Sequence, residues 1–264
     1  MMQKVRPKKA LGQHFLTDLD VAERIAATLD AYRGVPVLEI GPGMGVLTSP
    51  LLERGHDLRV VEIDKESVDY LTRNFPALEG RILADDFLKM DLSALFGGGK
   101  FCVIGNYPYN ISSQIFFKIL DHKDEVTCCS GMLQKEVAER ITAPAGGKVR
   151  GILSVLLQAW YDVEYLFTVD EKVFNPPPKV KSGVIRLTRN NVTDLGCDWR
   201  LFRSVVKTSF GQRRKMLRRS LAGMLGGSAP DDPIFTRRPE QLSVEEFVRL
   251  TNIISSILEN AKKA

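Results

Sequence analysis

Apolar positions along the chain follow two different spacings. Short, nearly continuous apolar runs occupy residues 35–40, 58–64, 81–88, 101–106 and 126–133. Runs of this length read as strands covered on both faces. Between them, apolar residues recur three or four apart, which predicts helices. Val21, Ile25, Ala26 and Leu29 share one helical face, with Thr17 or Asp18 as the N-cap. Residues 46–54, 65–75, 111–120, 134–141 and 151–158 read as further helices. Residues 159–169 alternate, with Val163, Tyr165 and Phe167 on one side, and predict a strand. Residues 174–180 contain Pro176, Pro177 and Pro178 and read as irregular, because proline removes a donor and fixes φ. A strand returns over 182–187. Residues 11–16 read as a hydrophobic approach to the first helix, and 143–147 as a mobile loop.

Strands alternating with helices, and closing strands with no full helix between them, predict an α/β fold. Its sheet is mostly parallel with an antiparallel edge. From Trp199 onward the spacing is helical only. A boundary near residue 190 therefore divides the chain into residues 1–189, with a basic arm over 1–10, and a small all-helical domain over 190–264.

Composition alters this picture little. The chain of 264 residues is 44% apolar and 26% charged, ordinary for a soluble protein. No apolar run reaches the ~20 residues of a membrane span, and the N-terminus lacks a signal-peptide core. Cys102, Cys128, Cys129 and Cys197 show no metal spacing, and His14, His56 and His122 are scattered. No metal, no disulfide framework and a cytoplasmic location are expected. Charge is more informative. Lys4, Arg6, Lys8 and Lys9 open the chain without an acid, and residues 189–264 hold 14 basic and 8 acidic residues. Basic ends around a slightly acidic middle suit either a polyanion partner or solvated tails.

Three stretches carry candidate chemistry. The first is Glu39-x-Gly41-x-Gly43-x-Gly45 after a strand, followed by Glu62 at the end of the next strand. Glycines let a ligand approach the backbone at a helix start, and an acid at this offset can bind ribose hydroxyls. The spacing is not that of a dinucleotide loop. A carboxylate beside the glycines suits a cationic sulfonium better than a pyrophosphate, which favours S-adenosylmethionine over NAD. Asp85 or Asp86, ending the next strand, can accept from an adenine amine. The second stretch is Asn106-Tyr107-Pro108-Tyr109. The Asn106 amide oxygen and the Pro108 carbonyl can accept N–H bonds from a base amine, and the Tyr109 ring can stack on the base. None of these is a strong base, which suits attack on an activated electrophile. The third is Arg213, Arg214, Lys215, Arg218 and Arg219, a cluster that fits phosphate contact or else a solvated helix face.

Gln13-His14-Phe15-Leu16, Glu39 to Gly45, Asn106 to Tyr109 and Phe174-x-Pro176-Pro177-Pro178-Lys179-Val180-x-Ser182 occur in this order. With the tail segment Phe210 to Leu221, they make the chain resemble the KsgA-type ribosomal RNA adenine dimethyltransferases from about Pro7 to the C-terminus. The resemblance implies a Rossmann-like S-adenosylmethionine-dependent methyltransferase domain with a small C-terminal helical domain. It implies N6-dimethylation of two adjacent adenosines near the 3′ end of 16S rRNA, within an immature small ribosomal subunit, by a monomer. By motif, His14, Leu16, Gly41, Glu62, Asp86 and Asn106 would contact the cofactor. Asn106, Pro108 and Tyr109 would hold the adenine, and Arg213, Arg214, Lys215 and Arg218 the RNA. Two residues depart from the common pattern: His14 stands where many bacterial members have Asn, and Tyr107 where Leu is usual. Two alternatives are a large-subunit methyltransferase of the erythromycin-resistance type, which shares the first motifs but not the tail, and a mainly non-catalytic ribosome-assembly factor.

Overall fold

Residues 101–105 form a run with no polar side chain, and the structure buries all of them. In the computed structural model, which describes residues 5–8, 11–226 and 229–263, this run is the central strand β5 (Phe101–Asn106). The other strands are β1 (Phe15–Leu16), β2 (Val37–Ile40), β3 (Leu58–Val61), β4 (Ile82–Leu83), β6 (Val126–Gln134), β7 (Tyr161–Val169), β8 (Phe174–Asn175) and β9 (Ser182–Arg189). Seven of them make one sheet in the order β4-β3-β2-β5-β6-β9-β7. Pairings from β4 through β6 are parallel, and β9 runs antiparallel to β6. The mostly parallel sheet with an antiparallel edge is thus present. The helices are α1 (Leu19–Ala26), α2 (Thr48–Glu53), α3 (Lys65–Asn74), α4 (Ser112–Asp121), α5 (Lys135–Thr142), α6 (Ile152–Gln158), α7 (Trp199–Gly211), α8 (Leu217–Ser220) and α9 (Val244–Lys263). Asp18 caps α1 by accepting from Val21 N at 3.1 Å.

Strand order reverses between β2 and β5. A parallel sheet opens a crevice at the carboxyl ends of its strands at such a point. Residues 174–175 are more regular than their neighbouring prolines suggest: they pair antiparallel with Phe15–Leu16, before the first proline. Residues 11–16 therefore end in a strand.

Two compact units divide the chain, residues 1–139 with 162–189 and residues 140–161 with 190–264. The second unit begins again at residue 190, but it also takes residues 140–161, which the sequence reading placed in the first domain. Aromatic packing accounts for this: Trp160 meets Trp199 edge-on at 5.5 Å, and Trp199 stacks on Phe202 at 5.7 Å. Phe247 then joins Phe202 and Phe210. The 143–147 loop is pinned in this unit, with Gly146 N donating to the Glu240 carbonyl at 2.8 Å.

Two interior details set limits on the sheet. Tyr107 is buried, and its hydroxyl donates to the Ser130 carbonyl at 2.7 Å. Its ring lies over the registered pair Gly105 and Gly131, where side chains are absent. A Cβ on Gly131 (φ +154°) would stand 2.3 Å from the Gly105 oxygen and 2.7 Å from the Tyr107 ring. The room that Tyr107 needs beyond a leucine comes from these glycines. The second detail is Glu39, buried in β2, whose carboxylate accepts from Thr48 Oγ1 at 2.7 Å. Burial pushes its carboxyl up to about 8, against the lowering effect of Thr48 and with a small addition from Glu62.

Gly131→Ala is expected to destabilise the protein by about 2–4 kcal/mol through overpacking and backbone strain, read as a lower urea midpoint by circular dichroism. Glu39 supplies a pH dependence. Its folded value lies above the ordinary carboxylate value of 4.5. The native state therefore holds the extra proton, and stability falls as pH rises from about 4.5 to about 8. Glu39→Gln, which keeps an acceptor for Thr48, should remove roughly 3–5 kcal/mol of that fall. Parallel stability–pH curves for the two proteins would refute this assignment.

Candidate functional site

The crevice at the carboxyl ends of β2, β3 and β5 is the candidate site. Its walls come from four sources: the strand ends with the residues just past them, the 85–88 segment after β4, the 107–111 segment after β5, and residues 11–15 ahead of α1. Parallel strands that end abruptly leave backbone groups free for a ligand, and Gly41 makes the closest approach possible. With φ +65° and no heavy atom within 4 Å of a notional Cβ, Gly41 leaves an open cradle beside the pocket.

Glu62 directly follows β3 and is 5% exposed. Its Oε2 accepts from Gly43 N at 3.1 Å, and its Oε1 accepts from Asp64 N at 2.9 Å. Burial raises its carboxyl, and these backbone donors pull it back. Each oxygen keeps a lone pair for a ligand hydroxyl. Asp85 and Asp86 both line the pocket. Asp85 accepts from Asp86 N at 2.7 Å. Asp86 accepts from Leu88 N at 3.0 Å and pairs with Lys89 at 3.3 Å.

Asn106 sits half-buried at the last position of β5. Its Nδ2 donates to the His14 carbonyl at 3.0 Å. That bond leaves Oδ1 as the free acceptor of the amide. His14 Nδ1 in turn donates to the Pro176 carbonyl at 2.7 Å, which fixes its proton on Nδ1 when the ring is neutral. The His14 ring stacks on Tyr109 with centroids 5.6 Å apart and planes 29° apart. Tyr109 and Ser182 share a 2.6 Å hydroxyl hydrogen bond. Burial raises the Tyr109 phenol, so it stays neutral.

Of the residues singled out from the sequence, His14, Gly41, Glu62, Asp86, Asn106, Pro108 and Tyr109 line one pocket. Leu16 does not: its side chain is 5% exposed and packs in the apolar core beside Phe174, while Phe15 faces the pocket. Glu39 does not line it either, so its carboxylate is an interior group. Gln13, Ile63 and Asn110 line the pocket without having been singled out as site residues, and Ser182 holds Tyr109 from outside. Asn110 lies one residue beyond the Asn106–Tyr109 motif, and Gln13 one before His14. Ser182 has no signal except its place at the end of the proline-rich motif.

The basic cluster lies in the second unit on a turn, not on a continuous helix, because α7 stops at Gly211 and α8 begins at Leu217. Val206, Leu217 and Leu221 are buried beneath it. Arg214, Lys215 and Arg218 are exposed, whereas Arg213 is half-buried and donates to the Lys148 carbonyl. At the other end of the chain, Lys4 and Lys9 of the basic arm lie outside the described residues. Lys8 pairs with Asp64 and with Glu66, the latter at 3.2 Å. Among the described residues no group of three or more His, Cys, Asp and Glu side chains is placed to hold a metal, and no helix is long and apolar enough to cross a membrane.

The family model for ribosomal RNA adenine dimethylase matches residues 4–256. Ribosomal RNA small subunit methyltransferase A of Parabacteroides distasonis is 70% identical over 260 residues, covering 98% of this chain and 97% of that protein. Its counterpart in Porphyromonas gingivalis is 61% identical over 256 residues, covering 96% and 99%. Among solved structures, a dimethyladenosine transferase from Plasmodium falciparum shares the fold, with TM-score 0.73 and 23% identity over 92% of this chain and 98% of that one. The 23S rRNA methyltransferase ErmE aligns with TM-score 0.66 and 26% identity over 91% and 99%. With a family model spanning most of its length and relatives at this identity, the chain belongs to the ribosomal RNA adenine dimethylase family.

Proposed function

We propose that the protein is an S-adenosylmethionine-dependent enzyme that dimethylates N6 of two adjacent adenosines near the 3′ end of small-subunit rRNA. Its substrate is an immature subunit in the cytoplasm, and it acts as a monomer. The orientation of the Asn106 amide carries the reading: with Nδ2 held by His14, Oδ1 is left to accept from the target amine. Relatives named for the small subunit stand at 70% and 61% identity, against 26% for the 23S enzyme ErmE, which supports the small subunit over the large.

The pocket residues fit the cofactor. The open Gly41 cradle admits it against the backbone, and the buried Glu62 carboxylate suits its ribose hydroxyls. Asp86, a pocket residue, is the acceptor for an adenine amine, and His14 is a further wall residue. When bound, the cofactor supplies an electrophilic methyl group on a sulfonium.

The chain's own residues prepare the nucleophile. An adenine amine is poor because its lone pair is delocalised into the ring. Asn106 Oδ1 and the Pro108 carbonyl accept its two N–H bonds, which favours a pyramidal nitrogen with its lone pair directed away from the acceptors. Tyr109, fixed by Ser182 and His14, stacks on the base, a contact worth about 1–3 kcal/mol. Positioning supplies most of the rate, and the proton leaves to water, so no strong base is required. The adenosine enters unstacked. After one methylation a single N–H remains, and one acceptor contact is lost. In the second unit, Arg214, Lys215 and Arg218 meet phosphate, while Arg213 acts through its bond to Lys148 by shaping the turn.

Asn106→Ala should keep the fold and S-adenosylmethionine affinity within a small factor while methyl transfer to small subunits drops at least about 10²-fold. Full activity in a radiolabelled assay would sink this role. Replacing Arg214, Lys215 and Arg218 together with Ala should reduce the salt slope of RNA binding by about 2, given roughly 0.7 per phosphate contact on single strands. An unaltered slope means that this face is only solvated.

A further inference from the structure

Two positions beyond Glu62 lies an acid that the methyl-transfer chemistry does not use. Asp64 is 3% exposed and caps α3, accepting from Glu66 N at 3.3 Å and from Ser67 Oγ at 3.1 Å. It also receives the Lys8 ammonium and, at 3.5 Å, the Gln13 Nε2. Lys8 reaches Glu66 as well. The segment that brings these two residues closes on itself: Leu11 N donates to the Lys8 carbonyl at 3.0 Å, and Lys8 N donates to Gln13 Oε1 at 2.8 Å. Both ends of the Gln13 amide are therefore engaged within the protein.

This cluster touches the pocket from two sides. Asp64 N holds Glu62 Oε1, and the docked turn continues directly into residues 11–15, the N-terminal wall. An exposed ion pair alone contributes little, but here one partner is buried and carries several hydrogen bonds.

We propose that Lys8 and Gln13 are positioning residues for cofactor affinity. Docked on Asp64, Lys8 and Gln13 are a latch that holds the N-terminal wall against the Glu62 side of the pocket, and Lys8 is not part of the RNA grip. The proposal rests on the pocket being the S-adenosylmethionine site. A wall ordered in advance spares the cofactor the cost of ordering it; an undocked wall lowers apparent affinity by the fraction of time it is in place.

The test titrates RNA-free protein with S-adenosylmethionine calorimetrically at low and high salt, for wild type, Lys8→Met, Lys8→Arg and Gln13→Ala. Backbone hydrogen exchange is followed in parallel without ligand. Lys8→Met and Gln13→Ala should raise Kd about tenfold, and Lys8→Arg should stay near wild type. High salt should bring wild type toward Lys8→Met. In the Lys8→Met protein the amides of Leu11 and Gln13 should lose protection. Unaltered Kd and unaltered protection in Lys8→Met would overturn the latch. So would intact cofactor affinity with a flattened salt dependence of RNA binding, which assigns Lys8 to RNA. Wild-type protein that fails to bind S-adenosylmethionine would overturn the cofactor reading instead, and the exchange data, which need no ligand, still decide the latch.

Discussion

The hydrogen bond from Asn106 Nδ2 to the His14 carbonyl joins residues 92 positions apart and fixes which atom of the amide is free. An asparagine at the end of a strand is two-faced, offering a donor or an acceptor according to its rotation. The N-terminal segment removes that freedom. His14 is itself held by the Pro176 carbonyl, and its neighbours Phe15 and Leu16 by β8. A chain of contacts therefore runs from the proline-rich segment through His14 to the acceptor. The stacking face of Tyr109 hangs on the same residue and on Ser182. Orientation of the free amide oxygen is thus built into the resting protein.

Two acids of the glycine-loop region illustrate how burial separates roles. Glu39 lies within β2 and Glu62 just past the end of the neighbouring β3, and both are buried. Glu62 faces the crevice and is stabilised by backbone donors, so it can meet a ligand hydroxyl. Glu39 faces inward to Thr48 and is held in its protonated form across much of the pH range. The motif's first acid belongs to the packing of the loop, and the second to the pocket wall.

Much of the fold was legible because a parallel sheet covered on both faces leaves unbroken apolar runs, as at Phe101–Gly105 and Val126–Leu133. Residues 81–88 were less so: at the sheet edge only Ile82 and Leu83 pair. A two-residue pairing such as Phe174–Asn175 with Phe15–Leu16 has no period to detect. The placement of residues 140–161 depends on Trp160 meeting Trp199, a contact between distant positions. Site residues with a strand-end or turn signature, such as Glu62 and Asn106, were readable. The inward turn of Leu16 and the Lys8–Asp64 pairing depend on tertiary neighbours, which spacing does not encode.

The aromatic packing of the second unit has an optical consequence. The chain's two tryptophans, Trp160 and Trp199, sit 5.5 Å apart, both within that unit. Intrinsic tryptophan emission is therefore a probe confined to the helical body. The α/β body that carries the pocket contributes tyrosine signal, including that of Tyr107 and Tyr109, and no indole of its own. A melting curve recorded at tryptophan wavelengths describes the smaller unit, and its agreement with a backbone probe measures how far the two units unfold together.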